Sequence, residues 1–169
     1  MATATSPLTV AGKQRQFLSY IPDSYDGSTP HGLIIAMHGR TNSNEMVQQY
    51  MGIEGRRQWR DGRWQSSAQD EYLVVYPAGL SNGNGTYSWS QAENIEFFDK
   101  LVRVMADSYC LDRREVFVVG HSLGGYFANK VACVRGDVVR GKGVVGSTPY
   151  SDDCTGPVAS LVFQHPNDM

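Results

Sequence analysis

Apolar residues come in short runs separated by longer stretches with helical spacing. The runs are Leu33 to Met37, Tyr72 to Tyr76, Val116 to Val119, Gly143 to Val145 and Val158 to Phe163. A short unbroken apolar run predicts a strand buried on both faces. Ile95, Phe98, Leu101, Val102 and Met105 recur at helical spacing and predict a helix over Ala92 to Tyr109. Asn44 to Met51 also reads as a helix, with Asn42 or Ser43 as its N-cap, and Gly125 to Cys133 as another. Leu8 to Val10, Ala11-Gly12 and Gln14 to Ile21 predict a hairpin at an edge of the sheet. Pro22 to His31 and Leu80 to Ser88 have the composition of loops, and Gly52 to Gln69 is irregular. Strands alternating with helices define an α/β class: a mostly parallel sheet with helices on both faces, here one domain over 1–169. In such sheets chemistry gathers beyond the carboxyl ends of the strands. Three of those ends carry His38-Gly39-Arg40, Gly120-His121-Ser122 and His165-Pro166-Asn167-Asp168.

The second of these ends is the most specific. Val116 to Val119 runs into Gly120-x-Ser122-x-Gly124, and a helical segment follows at once. Strand, tight turn and helix form the context of a nucleophile elbow. A serine hydroxyl attacks poorly unless it is exposed, oriented and given a base. The turn supplies exposure, and side chains at Gly120 and Gly124 would collide with the neighbouring strand or helix. Ser122 is therefore the candidate nucleophile.

Size and charge narrow the classes. The 169 residues suit one domain, with 41% apolar and 19% charged residues, and the net charge is −2. Arg56, Arg57, Arg60 and Arg63 are interrupted by Glu54 and Asp61 and read as a solvated face or inserted loop, so a nucleic-acid partner is not expected. No apolar run approaches the ~18 residues of a membrane span. Met1 to Leu8 does not read as a signal peptide. No G-x-G-x-x-G follows a strand, and no C-x-x-C or H-E-x-x-H occurs, so neither a cofactor nor a metal is expected.

A serine nucleophile needs an oxyanion hole, a base and an acid that orients the base. His38-Gly39-Arg40-Thr41 follows a buried strand, and the amide of Arg40 or Thr41 with that of Leu123 forms the expected hole. Asp168 follows the last strand and fits the acid, ahead of Asp152 and Asp153. None of the four histidines fits the base. His31 is at the wrong end of its strand, His38 belongs to the oxyanion turn, and His165 precedes the acid. His121, at the elbow's variable position, is turned from the base's place and is grouped with the substrate-binding candidates. Trp89 is a stacking platform for substrate or a core anchor, and Tyr150 lines the same cleft or packs likewise. A ten-residue helix spans about 15 Å, so Cys133 returns to the bottom of the sheet, where Cys110 also lies. Either these two form a disulfide, which implies an oxidising compartment, or they are buried thiols. Cys154 is then left over, with a partner outside the sequence.

Leu33 to Gly39, Val75-Tyr-Pro77, Ser88-Trp89, Cys110-Leu-Asp112 with Arg114, Val116 to Gly125, Ala132-Cys133 and His165 to Asp168 occur in an order that resembles one family. It is the secreted polyhydroxybutyrate depolymerases with the related feruloyl and acetylxylan esterases. The resemblance runs from about Lys13 to Met169 and implies an α/β-hydrolase-type sheet lacking the C-terminal strand and helix. It implies Ser122 as nucleophile, Asp168 as acid, a hole from Leu123 with Arg40 or Thr41, a Cys110–Cys133 disulfide and an extracellular setting. The family continues beyond this point with a helix, a strand and a loop carrying its catalytic histidine, so a fragment of a longer gene product is expected. The expected function is hydrolysis of a polyester or of feruloyl or acetyl esters on plant polysaccharide, through an acyl-enzyme. A non-catalytic binding module for sugars or polyester surfaces is the alternative.

Overall fold

Seven strands form one sheet, in the order β1-β2-β6-β3-β9-β10-β11 among the described residues. The structure is a computed structural model that describes residues 2–54, 58–60, 63–65, 71–89, 92–150 and 153–164. The strands are β1 (Ala2–Val10), β2 (Lys13–Ile21), β3 (His31–Met37), β6 (Tyr72–Pro77), β9 (Leu111–His121), β10 (Gly141–Val145) and β11 (Ala159–Phe163). Two short ribbons stand apart, β4 (Gln58–Arg60) with β5 (Arg63–Gln65) and β7 (Leu80–Ser81) with β8 (Tyr87–Ser88). The β1–β2 and β2–β6 pairs are antiparallel. All pairs from β6 through β3, β9 and β10 to β11 are parallel. The mostly parallel sheet expected from the sequence is what forms.

Helix α1 (Asn44–Met51) covers one face, and α2 (Glu93–Ser108) and α3 (Leu123–Val134) cover the other. The Ser43 side chain caps α1 by accepting from the Met46 amide, and Gly52 ends the helix in the left-handed conformation at φ 56°. Val47 packs from α1 onto Leu18, Tyr20, Ala36, Val74 and Tyr76. On the other face, Phe97, Phe98, Leu101 and Met105 of α2 and Phe127, Ala128 and Val131 of α3 enclose Leu33, Ile35, Met37, Val75, Val116 and Val118. Each fully buried Val, Leu, Ile, Phe or Met among them contributes about 1.5–3 kcal/mol by leaving water. Pleating explains the split, because alternate residues of β3 face opposite sides.

Arg15 is buried within this second layer. Its guanidinium lies 4.0 Å from the centre of the Phe97 ring, and Nη2 donates to the Ala78 carbonyl at 3.0 Å. Burial lowers its pKa to about 10. The contact ties β2 to the turn after β6, which reaches the site.

The disulfide differs from the expected one. Cys133 is bonded to Cys154, and Cys110 is the free cysteine. Cys110 and Cys133 are each tied to a different neighbour. The Cys110 carbonyl accepts from the His31 amide at the start of β3. The Cys133 carbonyl accepts from both the amide and the hydroxyl of Thr155, so the segment entering β11 brings Cys154 beneath α3.

Candidate active site

Strand β9 ends at His121 and α3 starts at Leu123, leaving Ser122 alone in the turn. Its φ of 55° and ψ of −124° strain a residue with a side chain. Packing holds that strain in place. A Cβ on Gly120 would lie 2.4 Å from the Gly124 carbonyl oxygen, and one on Gly124 would lie 2.2 Å from the Met37 carbonyl oxygen. Only glycine lets α3 begin pressed against the end of β3. The Ser122 amide donates to Val145 O at 2.9 Å, and its own carbonyl accepts from the Tyr126 amide at 3.0 Å. The Ser122 side chain makes no capping bond to α3.

The turn after β3 lies against the serine. A Cβ on Gly39 would sit 3.5 Å from Ser122 Cβ and 2.9 Å from Asn42 Oδ1. This brings the Arg40–Thr41 turn beside Ser122, where Leu123 opens α3. First-turn amides have no acceptor within their own helix and carry the positive end of its dipole. The Arg40 carbonyl accepts from the Tyr87 amide at 2.7 Å, which tethers the turn to β8.

Behind the turn, His38 is fully buried. The Gly79 amide donates to its Nε2 at 2.8 Å, so the ring proton sits on Nδ1, which faces the Gly39 carbonyl at 2.8 Å. Burial pushes its pKa below the usual 6.5, and the bond to Gly39 opposes that shift. With both nitrogens engaged, His38 links the turns after β3 and β6 and has no lone pair left for Ser122.

The remaining candidates divide. Trp89 is 2% exposed, stacks on Phe127 at 5.1 Å with rings 7° apart, and donates Nε1–H to the His38 carbonyl at 2.9 Å. Of its two sequence readings, the substrate platform is corrected to a core anchor, because no face of the ring is left open. His121 is half-buried beside Tyr50, whose hydroxyl lies 3.5 Å from Nδ1. His31 faces the Thr29 carbonyl at the opposite end of β3. Tyr150 stands edge-to-face with Tyr126 at 6.0 Å. Asp168, His165 and Asp152 lie outside the described residues. Among the described residues no cluster of His, Cys, Asp and Glu could hold a metal ion, and no helix is long and apolar enough to cross a membrane.

Tyr50, Tyr126, Asn129 and Lys142 went unnoticed in the sequence. For the last two a signal existed: a polar residue inside the apolar run of α3, and a lysine between two strand glycines. Tyr50 and Tyr126 look like ordinary helix-surface residues, and only the positions of His121 and Tyr150 single them out.

The fold is that of the α/β-hydrolases. It superposes on an acetyl xylan esterase from Aspergillus awamori with a TM-score of 0.61 at 17% identity, covering 83% of this chain and 51% of that one. An S-formylglutathione hydrolase from Agrobacterium tumefaciens gives 0.63 at 15% identity, covering 85% and 56%. No family model matches the chain. In sequence it is similar to feruloyl esterase C of Emericella nidulans, 29% identical over 162 residues, covering 91% of this chain and 55% of that protein. Feruloyl esterase D of Neurospora crassa is 28% identical over 164 residues, covering 92% and 53%. The chain thus spans about half the length of the relatives it matches. These relatives bear out the resemblance to feruloyl and acetylxylan esterases.

Proposed function

We propose that the chain carries the nucleophile and oxyanion hole of a serine carboxylic-ester hydrolase acting on esters of plant polysaccharide, feruloyl esters first. The observation that carries the reading is the strained Ser122 backbone, closed in by Gly120 and Gly124 and faced by the Gly39 turn. Strain of this kind costs on the order of 1–3 kcal/mol and persists where function uses it. Feruloyl substrates come from the named sequence relatives.

In this mechanism Ser122 Oγ attacks the ester carbonyl while an imidazole takes its proton. The C=O pair moves to oxygen, and the amides of Leu123 and of Arg40 or Thr41 hold the oxyanion. Collapse expels the alcohol, which takes the proton from the imidazolium, and leaves an acyl-Ser122. Water, deprotonated by the same imidazole, releases the acid. His31 and His38 are engaged elsewhere, and His121 sits at the elbow's variable position beside Tyr50, so in this reading the imidazole comes from outside the described residues, with Asp168 orienting it. The Cys133–Cys154 bond fits action in an oxidising, extracellular setting.

The test is labelling of the full-length protein with a fluorophosphonate, beside hydrolysis of methyl ferulate, acetylated xylan and polyhydroxybutyrate. Labelling lost in Ser122→Ala and fastest turnover of methyl ferulate are expected. Labelling that survives Ser122→Ala rejects the nucleophile. No turnover of any ester favours the binding-module alternative.

A further inference from the structure

One helical turn past the nucleophile, α3 presents Tyr126 on its outer surface, 40% exposed. Helical side chains lean toward the N-terminus of their helix, so this ring covers the surface over the Ser122 turn. Tyr150 meets it edge-to-face, at 6.0 Å and 78°. Lys130, one turn further along α3, places Nζ 5.8 Å from the centre of the Tyr150 ring.

The loop carrying Tyr150 is held by a buried polar bracket. Asn129 is 2% exposed, and its Nδ2 donates to the Thr148 carbonyl at 2.8 Å and faces Ser147 Oγ at 3.4 Å. Its Oδ1 accepts from Lys142 Nζ at 2.6 Å. Ser147 is packed on Gly125, where a Cβ would come within 2.7 Å of Oγ. An apolar core does not need this bracket, and burying the Asn129 amide is unfavourable unless it is bonded. What the bracket does is fix the position of a half-open pair of aromatic rings. A surface ordered before binding avoids the entropy cost of ordering during it.

We propose that Tyr126, Tyr150 and Lys130 form a binding platform for a sugar ring on the alcohol side of the substrate. The inference rests on the polysaccharide-ester reading above and deepens it. A pyranose has an apolar C–H face that lies on an aromatic ring and a rim of hydroxyls that accept from an ammonium or exchange bonds with phenol groups. An aromatic acyl group would need an enclosed apolar slot, whereas this surface lies open on the outside of a helix beside a charge. That geometry suits a polymer lying across the mouth of the site.

The test uses the full-length protein as Ser122→Ala, with ester-free xylo-oligosaccharide as the probe and titration followed by NMR or calorimetry. Binding is expected. Tyr126→Ala and Tyr150→Ala should each raise the dissociation constant by roughly three- to tenfold, the factor for one lost aromatic contact. Tyr126→Phe should stay within about twofold of the parent, because the ring face is kept. A matched melting temperature shows that the Ala variants remain folded. No binding of the oligosaccharide, or equal binding by the parent and both Ala variants, overturns the platform. Methyl ferulate turnover by the wild type separates the two readings. Turnover without sugar binding removes the platform alone, and sugar binding without turnover removes the esterase alone.

Discussion

Strand β3 lies between β6 and β9, with α1 over one face and α3 over the other. Strand β11 pairs with β10, and each of its five residues is exposed. Both are apolar on both sides: Leu33-Ile-Ile-Ala-Met37 in one, Leu161-Val-Phe163 in the other. Leu33 and Ile35 are fully buried, while Leu161 and Phe163 are 59% and 56% exposed. On the α1 side the exposure continues into an open apolar trough lined by Ile34, Tyr72, Phe117, Val119 and Leu161. The same composition is therefore fully covered in one place and about half open in the other. The elbow belongs to the covered region: its glycines press on the end of β3, and Ser122 hydrogen-bonds to the end of β10.

Glycine substitutions should break this comparison with the largest effect. Gly124→Ala drives a Cβ to 2.2 Å from the Met37 backbone, where neither side can yield. Its cost should exceed about 4 kcal/mol, in the exceptional range for one substitution. Gly143→Ala, on β10, places a Cβ 3.4 Å from Val119 Cγ1, an ordinary contact, and should change stability by less than about 0.5 kcal/mol. Urea unfolding of the two variants measures the contrast.

A paired truncation comes next. Ile35→Ala should cost about 2–5 kcal/mol, because it opens a cavity between two covered faces. Leu161→Ala should cost less than about 0.5 kcal/mol. If Leu161→Ala in the full-length protein costs as much as Ile35→Ala, then β11 is an interior strand there, and the contrast between the strands belongs to residues 1–169 alone.

The fold was legible in the sequence because period and run length report what each segment needs to bury. The elbow was legible because its glycines and serine lie close together in sequence. Pairings across the sheet were not. Cys133 could be placed at the bottom from helix length, but its partner depends on which loop returns beneath α3, and that is the segment of Cys154 and Thr155, far along the chain. Trp89 kept two readings because a tryptophan before a helix serves either role, and only the stack on Phe127 decides. Exposure of β11 was equally invisible, since an apolar run does not name its neighbours.

The cysteines supply a smaller contrast. Cys154→Ser opens a disulfide that closes a loop with a sequence separation of 21, and should cost about 3 kcal/mol by the loop-entropy relation. Cys110→Ser, at the free cysteine, should be near neutral. Alkylation of the unreduced, denatured protein should modify Cys110 and spare Cys133 and Cys154. Modification of Cys154 instead would restore the Cys110–Cys133 pairing.

The smallest effect tests whether His38 binds the covered region to the site. Burial lowers its pKa, Arg15 lowers it further, and the Gly39 carbonyl and Glu45 raise it, with burial the largest influence. The unfolded chain takes up this proton near 6.5, and the folded chain only at lower pH. Between those values the unfolded state holds more protons, so stability rises with pH. The contribution of neutral His38 is complete above 6.5 and is lost as pH falls through the folded value. Protonation would also aim a second N–H at the Gly79 amide, donor against donor, and release the turn that carries Gly39. Wild type should therefore lose stability on acidification below 6.5 more steeply than His38→Gln, which cannot titrate there. Equal slopes in urea unfolding between pH 7 and 5 would show that the ring takes up its proton without strain, and that the bonds through Trp89, Arg40 and Asn42 hold the turn.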